Sequence, residues 1–419
     1  MSEIQSLRCR ECARTYEVAP IHVCEFCFGP LEADYDYEAI AAVVSRESIA
    51  SGPDSIWRYG ALLPVSDATP RVDLGAGYTP LVRAPRLGAE LGIDDLWLKN
   101  DTLNPTNSFK DRVVSVALTK AQELGLKVAA CASTGNLAHA VAAHAARAGM
   151  AACVFIPADL EQGKVVSTAV YGASVVAVKG NYDDVNRLCA EIAGQYPWAF
   201  VNVNVRPFYS EGSKTLAFET VEQLGWAYPD HIVIPIASGS QLVKVRKGLQ
   251  ELHKVGLMPA EPHTAIHGAQ AEGCSPVATA YKAGVEHVRP VKPDTIAKSL
   301  AIGNPADGGY AVQAARETGG RIDDVTDEEI VDAISLLART EGIFTETAGG
   351  VTVGVLRKLA AAGAFSRGER VVAFITGHGL KTLEAVAGRA QPAAVIPPRL
   401  EEFEHQVSLG TVPGAAAAS

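Results

Sequence analysis

One lysine directly follows a run of turn-forming residues and opens a stretch of helical pattern. The run N-P-T-N-S-F occupies residues 104–109, and Lys110 comes next. Phe109 before the lysine and Val113 and Val114 after it indicate a partly buried amine. Because burial disfavours the charged ammonium, the pattern predicts a neutral amine that can form a Schiff base with an aldehyde. A lysine on an exposed helix surface is the alternative.

Two polar turns lie where a strand-like run passes into a helical stretch. The first contains Ser133, Thr134 and Asn136, ahead of an apolar helix predicted at 137–146. The second precedes a helix predicted at 242–252 and consists of Ala237, Ser238, Gly239, Ser240 and Gln241. Helix N-termini bind anions through their free N–H groups, and small residues let the backbone approach a phosphate. Both turns are therefore candidate anion sites, and simple helix capping is the alternative.

A third turn follows the strand predicted at 371–375. It contains Thr376 and His378, and the histidine is flanked by glycines. Ligands of α/β proteins bind at the carboxyl ends of parallel strands, so this loop is also a candidate part of a site. His139 and His144 are five residues apart and do not share a helical face, so they are interpreted as core or rim residues.

Four cysteines near the N-terminus have metal-site spacing. Cys9 and Cys12 form one Cys-x-x-Cys pair, and Cys24 and Cys27 form another. Two such pairs converge on one tetrahedral Zn²⁺, and a closed four-thiolate site has no open position for substrate. A structural zinc ribbon over residues 1–34 is therefore predicted. A ribbon that reads nucleic acid needs a basic face, which this acidic segment lacks.

The composition limits the compartment and the partners. The formal net charge is -10, which disfavours nucleic acid or an anionic membrane as the main partner. No apolar run approaches the length of a membrane helix, and the first residues have no signal-peptide pattern. The remaining cysteines stand alone in apolar surroundings, which is typical of buried thiols in a reducing compartment. A cytoplasmic location is expected.

Short apolar runs alternate with helix-length segments along most of the chain. This alternation predicts parallel sheets with crossover helices, hence an α/β protein. At 419 residues the chain is too long for one ordinary core, so two lobes are expected. The predicted boundaries are a large domain at 35–111 and 220–390, a small domain at 112–219, and a C-terminal arm at 391–419.

These elements together resemble the threonine synthase family of pyridoxal phosphate (PLP) enzymes. The resemblance runs from about Cys9 to Leu383, and the pattern N-P-T-x-S-F-K-D-R is its most specific part. It implies a two-lobed PLP fold of type II with an N-terminal zinc ribbon. It also implies that Lys110 carries the cofactor, that Asn136 binds its 3-oxygen, that residues 237–241 bind its phosphate, and that the Thr376 hydroxyl meets its pyridine nitrogen.

The same resemblance implies conversion of O-phospho-L-homoserine and water to L-threonine and phosphate. Lys110 would remove the α-proton and then move the β-proton. The phosphate of this phosphoamino-acid substrate would be bound by Ser133, Thr134, Asn204 and Arg206, with Lys214 nearby. A homodimer is usual in the family and is expected here.

Three alternatives remain open at this point. A related β-replacement enzyme, such as a cysteate synthase using O-phosphoserine and sulfite, shares the cofactor residues. A serine/threonine dehydratase has no need of a cation at Arg206. A non-catalytic interaction protein would have no need of Lys110, Asn136 and Thr376 together.

Overall fold

The computed structural model describes residues 4–133, 135–158, 162–180 and 182–406. The described chain forms two compact units that divide between Lys381 and Thr382. Its strands are β1 (Ile4–Cys9), β2 (Thr15–Tyr16), β3 (Leu31–Tyr35), β4 (Leu81–Arg83), β5 (Asp95–Asn100), β6 (Val128–Ala132), β7 (Ala151–Pro157), β8 (Ser174–Val178), β9 (Trp198–Phe200), β10 (His231–Pro235), β11 (Ala265–Ala271), β12 (Ile322–Val325) and β13 (Arg370–Ile375).

The helices of the first unit pack around these strands. They are α1 (Tyr37–Val43), α2 (Arg46–Ala50), α3 (Pro85–Leu91), α4 (Lys110–Glu123), α5 (Asn136–Ala148), α6 (Gln162–Ala169), α7 (Tyr182–Gln195), α8 (Arg206–Glu211), α9 (Thr215–Gln223), α10 (Ser240–Lys254), α11 (Pro276–Lys282), α12 (Gly308–Glu317), α13 (Asp327–Glu341) and α14 (Thr347–Ala361). The second unit contains α15 (Leu400–Gln406), so the predicted C-terminal arm includes a short helix.

Two separate sheets confirm the predicted α/β class. The larger sheet has the strand order β12-β11-β10-β13-β5-β4, and the smaller sheet has the order β8-β7-β6-β9. All pairings in the two sheets are parallel except β4 with β5. The smaller sheet uses residues 128–200 and the larger sheet uses residues before and after them, while the division into domains stays a prediction.

Two central strands of the larger sheet, β11 and β13, are buried, and β13 is continuously apolar over residues 371–375. All seven residues of β11 are buried, as are the last five of β13. Continuous apolar runs of this kind are expected of parallel strands that have no solvent face. The carboxyl ends of β10 and β13, and of β6 in the smaller sheet, lead into the three polar turns singled out in the sequence.

The isolated cysteines belong to the core, as predicted. Cys131, Cys153, Cys189 and Cys274 are all buried. Burial, together with the charge of Cys153, raises the pKa of the Cys189 thiol to about 12. A thiol with this pKa stays protonated at neutral pH, so this residue is a small packing group and a poor nucleophile.

The N-terminal segment is a small antiparallel sheet of order β2-β1-β3. Its third strand contacts helices that follow the smaller sheet: the Tyr35 hydroxyl donates to Glu211 at 2.8 Å, and Lys244 pairs with Glu32 at 2.5 Å. Glu211 is completely buried and also pairs with Lys214 at 2.7 Å. The N-terminal sheet is therefore fastened to the helices after the smaller sheet through buried charges.

Candidate active site

Lys110 is the first residue of α4 and is half-buried. Its Nζ lies 5.1 Å from the centre of the Phe109 ring. Within the described residues, this amine makes neither a hydrogen bond nor an ion pair, whereas the buried lysines 99 and 214 are both paired. An amine without a partner is available to attack a carbonyl, as expected from the sequence.

The residue after Lys110 fastens the start of its helix. Asp111 is completely buried and accepts hydrogen bonds from the Thr106 backbone N–H and hydroxyl, each at 2.9 Å. On its other side it contacts His144 Nε2 at 3.1 Å. His144 is thus a buried partner of this carboxylate, in agreement with the interpretation that it is a core residue.

Arg112 fixes the same helix turn to the larger sheet. Its guanidinium is completely buried and contacts Asp101 at 2.7 Å and Glu219 at 2.8 Å, and Lys99 lies 2.6 Å from Glu219. Burial alone would raise the pKa of Glu219, but the charges of Arg112 and Lys99 lower it to about 2. These buried ion pairs restrict the movement of the helix turn that carries Lys110.

The loop before Lys110 is paired with the loop after β13. The Phe109 N–H donates to the Thr376 carbonyl at 2.8 Å, and the His378 N–H donates to the Asn107 carbonyl at 3.0 Å. These main-chain bonds join residues that are more than 260 positions apart, and they bring Thr376, which is 7% exposed, next to Lys110. The two residues predicted to share one cofactor are therefore neighbours.

A buried carboxylate completes this cluster. The Glu346 N–H donates to the Gly377 carbonyl at 2.9 Å, and the Glu346 carboxylate accepts two bonds from Asn136 Nδ2, at 2.9 and 3.0 Å. Burial raises the pKa of Glu346, while the Asn136 hydrogen bond and the charges of Lys381 and Lys110 act against this rise. Asn136 from the smaller sheet thus meets Glu346 from the larger one.

Glu346 and Lys381 were not predicted from the sequence. Glu346 directly precedes the apolar helix α14, and an acid at a helix start looks like an ordinary favourable charge near the helix dipole. Only the structure shows that Glu346 is 2% exposed, which distinguishes it from an ordinary surface acid at a helix start. Lys381 Nζ lies 2.9 Å from His139 Nδ1, and burial lowers its pKa.

The turn between β10 and α10 has the properties of a phosphate cradle. Gly239 has φ +92°, and a Cβ there would lie 2.6 Å from the Asp307 carbonyl oxygen, so only glycine fits. No side chain caps the 15-residue helix α10. Among the described residues, the buried Gln241 Nε2 has no hydrogen-bond partner. A buried donor without a partner at a helix start suits an anion.

The residues predicted to bind the substrate phosphate differ from one another in their hydrogen-bond partners. Ser133 is 9% exposed, and its hydroxyl accepts from the Gly135 N–H at 3.3 Å. Thr134 lies outside the described residues. Asn204 bonds only to backbone in the described part of the chain, accepting from the Phe200 N–H and donating to the Trp198 carbonyl, both at 2.9 Å. Its amide therefore holds the turn after β9.

Arg206 is the first residue of α8, and its guanidinium is paired with Asp307. It lines a cavity next to the phosphate cradle, together with Ser240. Lys214, expected near it, is completely enclosed: its Nζ donates to the Leu62 carbonyl at 2.9 Å and pairs with two buried glutamates. Lys214 is therefore a member of the buried charge cluster.

The four N-terminal cysteines converge. Cys9 Sγ lies 3.4 Å from Cys27 Sγ, Cys12 Sγ lies 3.6 Å from Cys24 Sγ, and all four sulfurs are within 4.8 Å of one another. Four thiolates around one Zn²⁺ are separated by about 3.8 Å, given Zn–S bonds of about 2.3 Å. The donor set fits a closed tetrahedral metal site.

Comparison with known proteins gives a consistent family. The family described as "Pyridoxal-phosphate dependent enzyme" matches residues 72–377. The threonine synthase of Methanocaldococcus jannaschii is 42% identical over 381 residues, which cover 90% of this chain and 93% of that protein. The threonine synthase of Methanosarcina acetivorans is 38% identical over 406 residues, which cover 96% and 98%.

Solved structures agree on the fold. A fungal L-serine ammonia-lyase from Rhizomucor miehei superposes with a TM-score of 0.62 at 21% identity, over 74% of this chain and 96% of that one. A lysine unpaired among the described residues at the loop after β13, a glycine-containing anion cradle after the neighbouring strand β10, and the family match together define a PLP-dependent lyase of fold type II. The predicted fold class is thereby confirmed. The chain belongs to the threonine synthase family of these enzymes. No described helix is long and apolar enough to cross a membrane.

Proposed function

We propose that this enzyme converts O-phospho-L-homoserine and water to L-threonine and inorganic phosphate. The observation that carries the proposal is the placement of Lys110 and the phosphate cradle at one edge of the larger sheet. The loop of Lys110 is bonded to Thr376 at the carboxyl end of β13, the cradle follows the neighbouring parallel strand β10, and a cationic cavity at Arg206 adjoins the cradle. The cradle would bind the phosphate of the cofactor, and the cavity at Arg206 would bind the phosphate of the substrate. The extensive similarity to two threonine synthases supports the same reaction.

The residues present fit the cofactor. Lys110 would hold PLP covalently, and its phosphate would accept from the N–H groups and side chains of the cradle, which are Ala237, Ser238, Gly239, Ser240 and Gln241. Asn136 would donate to the 3-oxygen and the Thr376 hydroxyl would meet the pyridine nitrogen. When bound, the cofactor withdraws electrons from the substrate and stabilises negative charge at its carbon atoms. A neutral hydroxyl partner suits elimination better than transamination.

Lys110 is the residue we assign to proton transfer. Once its amine is free, it would take a proton from the α-carbon and then one from the β-carbon, while phosphate leaves from the γ-carbon. A proton would then be added at the γ-carbon, the hydroxyl of water at the β-carbon, and a proton would return to the α-carbon. Glu346 is a positioning residue in this scheme, because its carboxylate fixes the direction of the Asn136 amide. Its negative charge also lies close enough to Lys110 to interact with it.

The substrate phosphate is assigned to the cavity beside the cradle. Arg206 supplies a guanidinium, which matches the geometry of a phosphate group. Ser133 lies before Asn136 and is proposed to donate to the substrate, and Thr134 is proposed for the same role from the sequence alone. Asn204 stays a candidate, although its present bonds suggest that it acts mainly by holding the backbone next to Arg206.

The cysteine cluster is proposed to hold a structural Zn²⁺ through Cys9, Cys12, Cys24 and Cys27. Four thiolates close the coordination sphere, so the metal would stabilise the ribbon without taking part in the reaction. From the family resemblance we also propose a homodimer. From the net charge of -10 and the single cysteines in apolar surroundings we propose a cytoplasmic location with no nucleic-acid or membrane partner.

The test is a substrate panel with phosphate detection. The wild-type enzyme with PLP should release phosphate from O-phospho-L-homoserine and form L-threonine. Lys110→Ala should abolish turnover and the visible absorbance of the lysine-bound cofactor, while circular dichroism and thermal unfolding stay close to wild type. A preference for O-phosphoserine with sulfite would identify a β-replacement enzyme instead, and ammonia release from serine without phosphate release would identify a dehydratase.

A further inference from the structure

The first cysteine knuckle of the ribbon reaches the loop that supports the phosphate cradle. Arg10 Nη1 lies 3.4 Å from Asp307 Oδ1, and its guanidinium stacks 3.6 Å from the centre of the Tyr310 ring. The neighbouring Glu11 accepts a hydrogen bond from the Tyr310 hydroxyl. Two adjacent ribbon residues thus hold the start of α12.

Asp307 connects this contact to the active site. It is 5% exposed, and its N–H donates to the Ser238 carbonyl at 2.8 Å, so it lies directly against the cradle. Its second carboxylate oxygen, Oδ2, is paired with Arg206. One buried carboxylate therefore holds two guanidinium groups, Arg10 on Oδ1 and Arg206 on Oδ2.

The surrounding cavity is cationic. It is lined by Arg10, Arg206 and Lys244 against two acids, Asp307 and Glu32, and Glu32 is already paired with Lys244. A phosphate group that enters must therefore compete with Asp307 for Arg206. If Arg206 were the only cation paired with Asp307, the carboxylate would hold Arg206 more tightly and would also repel the incoming phosphate.

We propose that Arg10 of the ribbon keeps Asp307 neutralised, so that Arg206 can turn to the phosphate of the substrate. Arg10 is then a positioning residue that acts through Asp307 and does not itself touch the substrate. The inference rests on the proposed function, because it takes the substrate phosphate to be bound by Arg206. It gives the ribbon a role in substrate affinity beyond its own folding.

The experiment measures phosphate-dependent and phosphate-independent binding separately. The variant is Arg10→Gln, and the matched control is Arg8→Gln, which removes an exposed arginine on the other side of Cys9. The quantities are KM and kcat for O-phospho-L-homoserine, the inhibition constant of inorganic phosphate, and the dissociation constant of L-threonine followed by the absorbance of the bound cofactor. Thermal unfolding is recorded for each variant.

Arg10→Gln should raise KM and the inhibition constant of phosphate about tenfold, the effect of losing one charge-assisted hydrogen bond. It should leave kcat and L-threonine binding near wild type, and Arg8→Gln should change none of these quantities. Arg10→Lys keeps the positive charge and should retain most of the phosphate affinity. In an Asp307→Asn background, Arg10→Gln should have almost no effect, because the charge that it neutralises is gone.

Three results would overturn the proposal. An unchanged KM in Arg10→Gln would show that Arg206 is available without the ribbon. An equal loss of L-threonine affinity would indicate a general structural effect. A tenfold loss that persists in the Asp307→Asn background would mean that Arg10 binds phosphate directly. If wild-type enzyme does not turn over O-phospho-L-homoserine, the proposed function fails, while the dissociation constant of inorganic phosphate, measured by direct titration, still tests the contact.

Discussion

Gly377 offers the sharpest test of the site geometry. A Cβ at this position would lie 2.3 Å from Glu346 Oε1 and 2.5 Å from its Cδ. Ordinary van der Waals contact begins at 3.4 Å, so in Gly377→Ala the carboxylate oxygen must retreat by about 1.1 Å, the difference between 3.4 and 2.3 Å. Glu346 has little room to do so, because it is 2% exposed and bonded to Asn136.

We expect Gly377→Ala to lower kcat/KM about 100-fold, since displacements near 1 Å in an active site have effects of this size. Overpacking should also reduce the free energy of unfolding by about 1–3 kcal/mol. The assays are phosphate release from O-phospho-L-homoserine and denaturant unfolding. Cofactor absorbance would show whether the displaced Glu346 and Asn136 still allow PLP to bind.

The matched control is Gly194→Ala. Gly194 is exposed in α7, and a Cβ there would meet nothing within 4 Å. Alanine should stabilise this helix position by about 0.5–1 kcal/mol and leave turnover unchanged. Wild-type kcat/KM in Gly377→Ala would refute the reasoning, because the Glu346–Asn136 contact would then be irrelevant to catalysis or free to move.

Three further predictions concern the cofactor cradle, the buried charges and the ribbon. Gln241→Ala should weaken PLP binding about tenfold by removing a buried donor, measured by cofactor titration of the apoenzyme. Glu219→Gln should cost about 3–5 kcal/mol of unfolding free energy at pH 7, because it leaves Lys99 buried without its acid and Arg112 with Asp101 alone. Cys24→Ser should lower the zinc content and the unfolding temperature without changing the cofactor absorbance per folded molecule.

The Glu219 prediction includes a pH dependence. The folded-state pKa of Glu219 is about 2, below its ordinary value of 4.5, so its stabilising effect is complete above pH 4.5 and is lost as the pH falls toward 2. The unfolding temperature of the wild type should therefore fall more steeply below pH 4.5 than that of Glu219→Gln. Parallel curves of unfolding temperature against pH would contradict the role given to Glu219. Unchanged PLP affinity in Gln241→Ala would contradict the cradle prediction, and full zinc content in Cys24→Ser would contradict the metal-site prediction.

The sequence by itself determined the local features of this protein. Two residues separate the cysteines of each pair, which indicated a four-thiolate metal site, and Lys110 opens a helix because turn formers directly precede a helical pattern. The alternation of strands and helices indicated the α/β class, since periodicity reports which faces of an element are buried. The Lys110 motif and the polar turns after strands carried the resemblance to the family.

Only the tertiary structure decided which distant charges meet. Glu346 and Asn136 are 210 positions apart, and Arg10 and Asp307 are 297 apart. Lys214 was expected near the substrate phosphate, and only the structure shows that it is enclosed among buried acids. Local pattern cannot reveal such pairings, because an acid or a lysine has the same sequence signature whether it faces water or a partner. Which group such a side chain pairs with depends on how distant loops pack together in the fold.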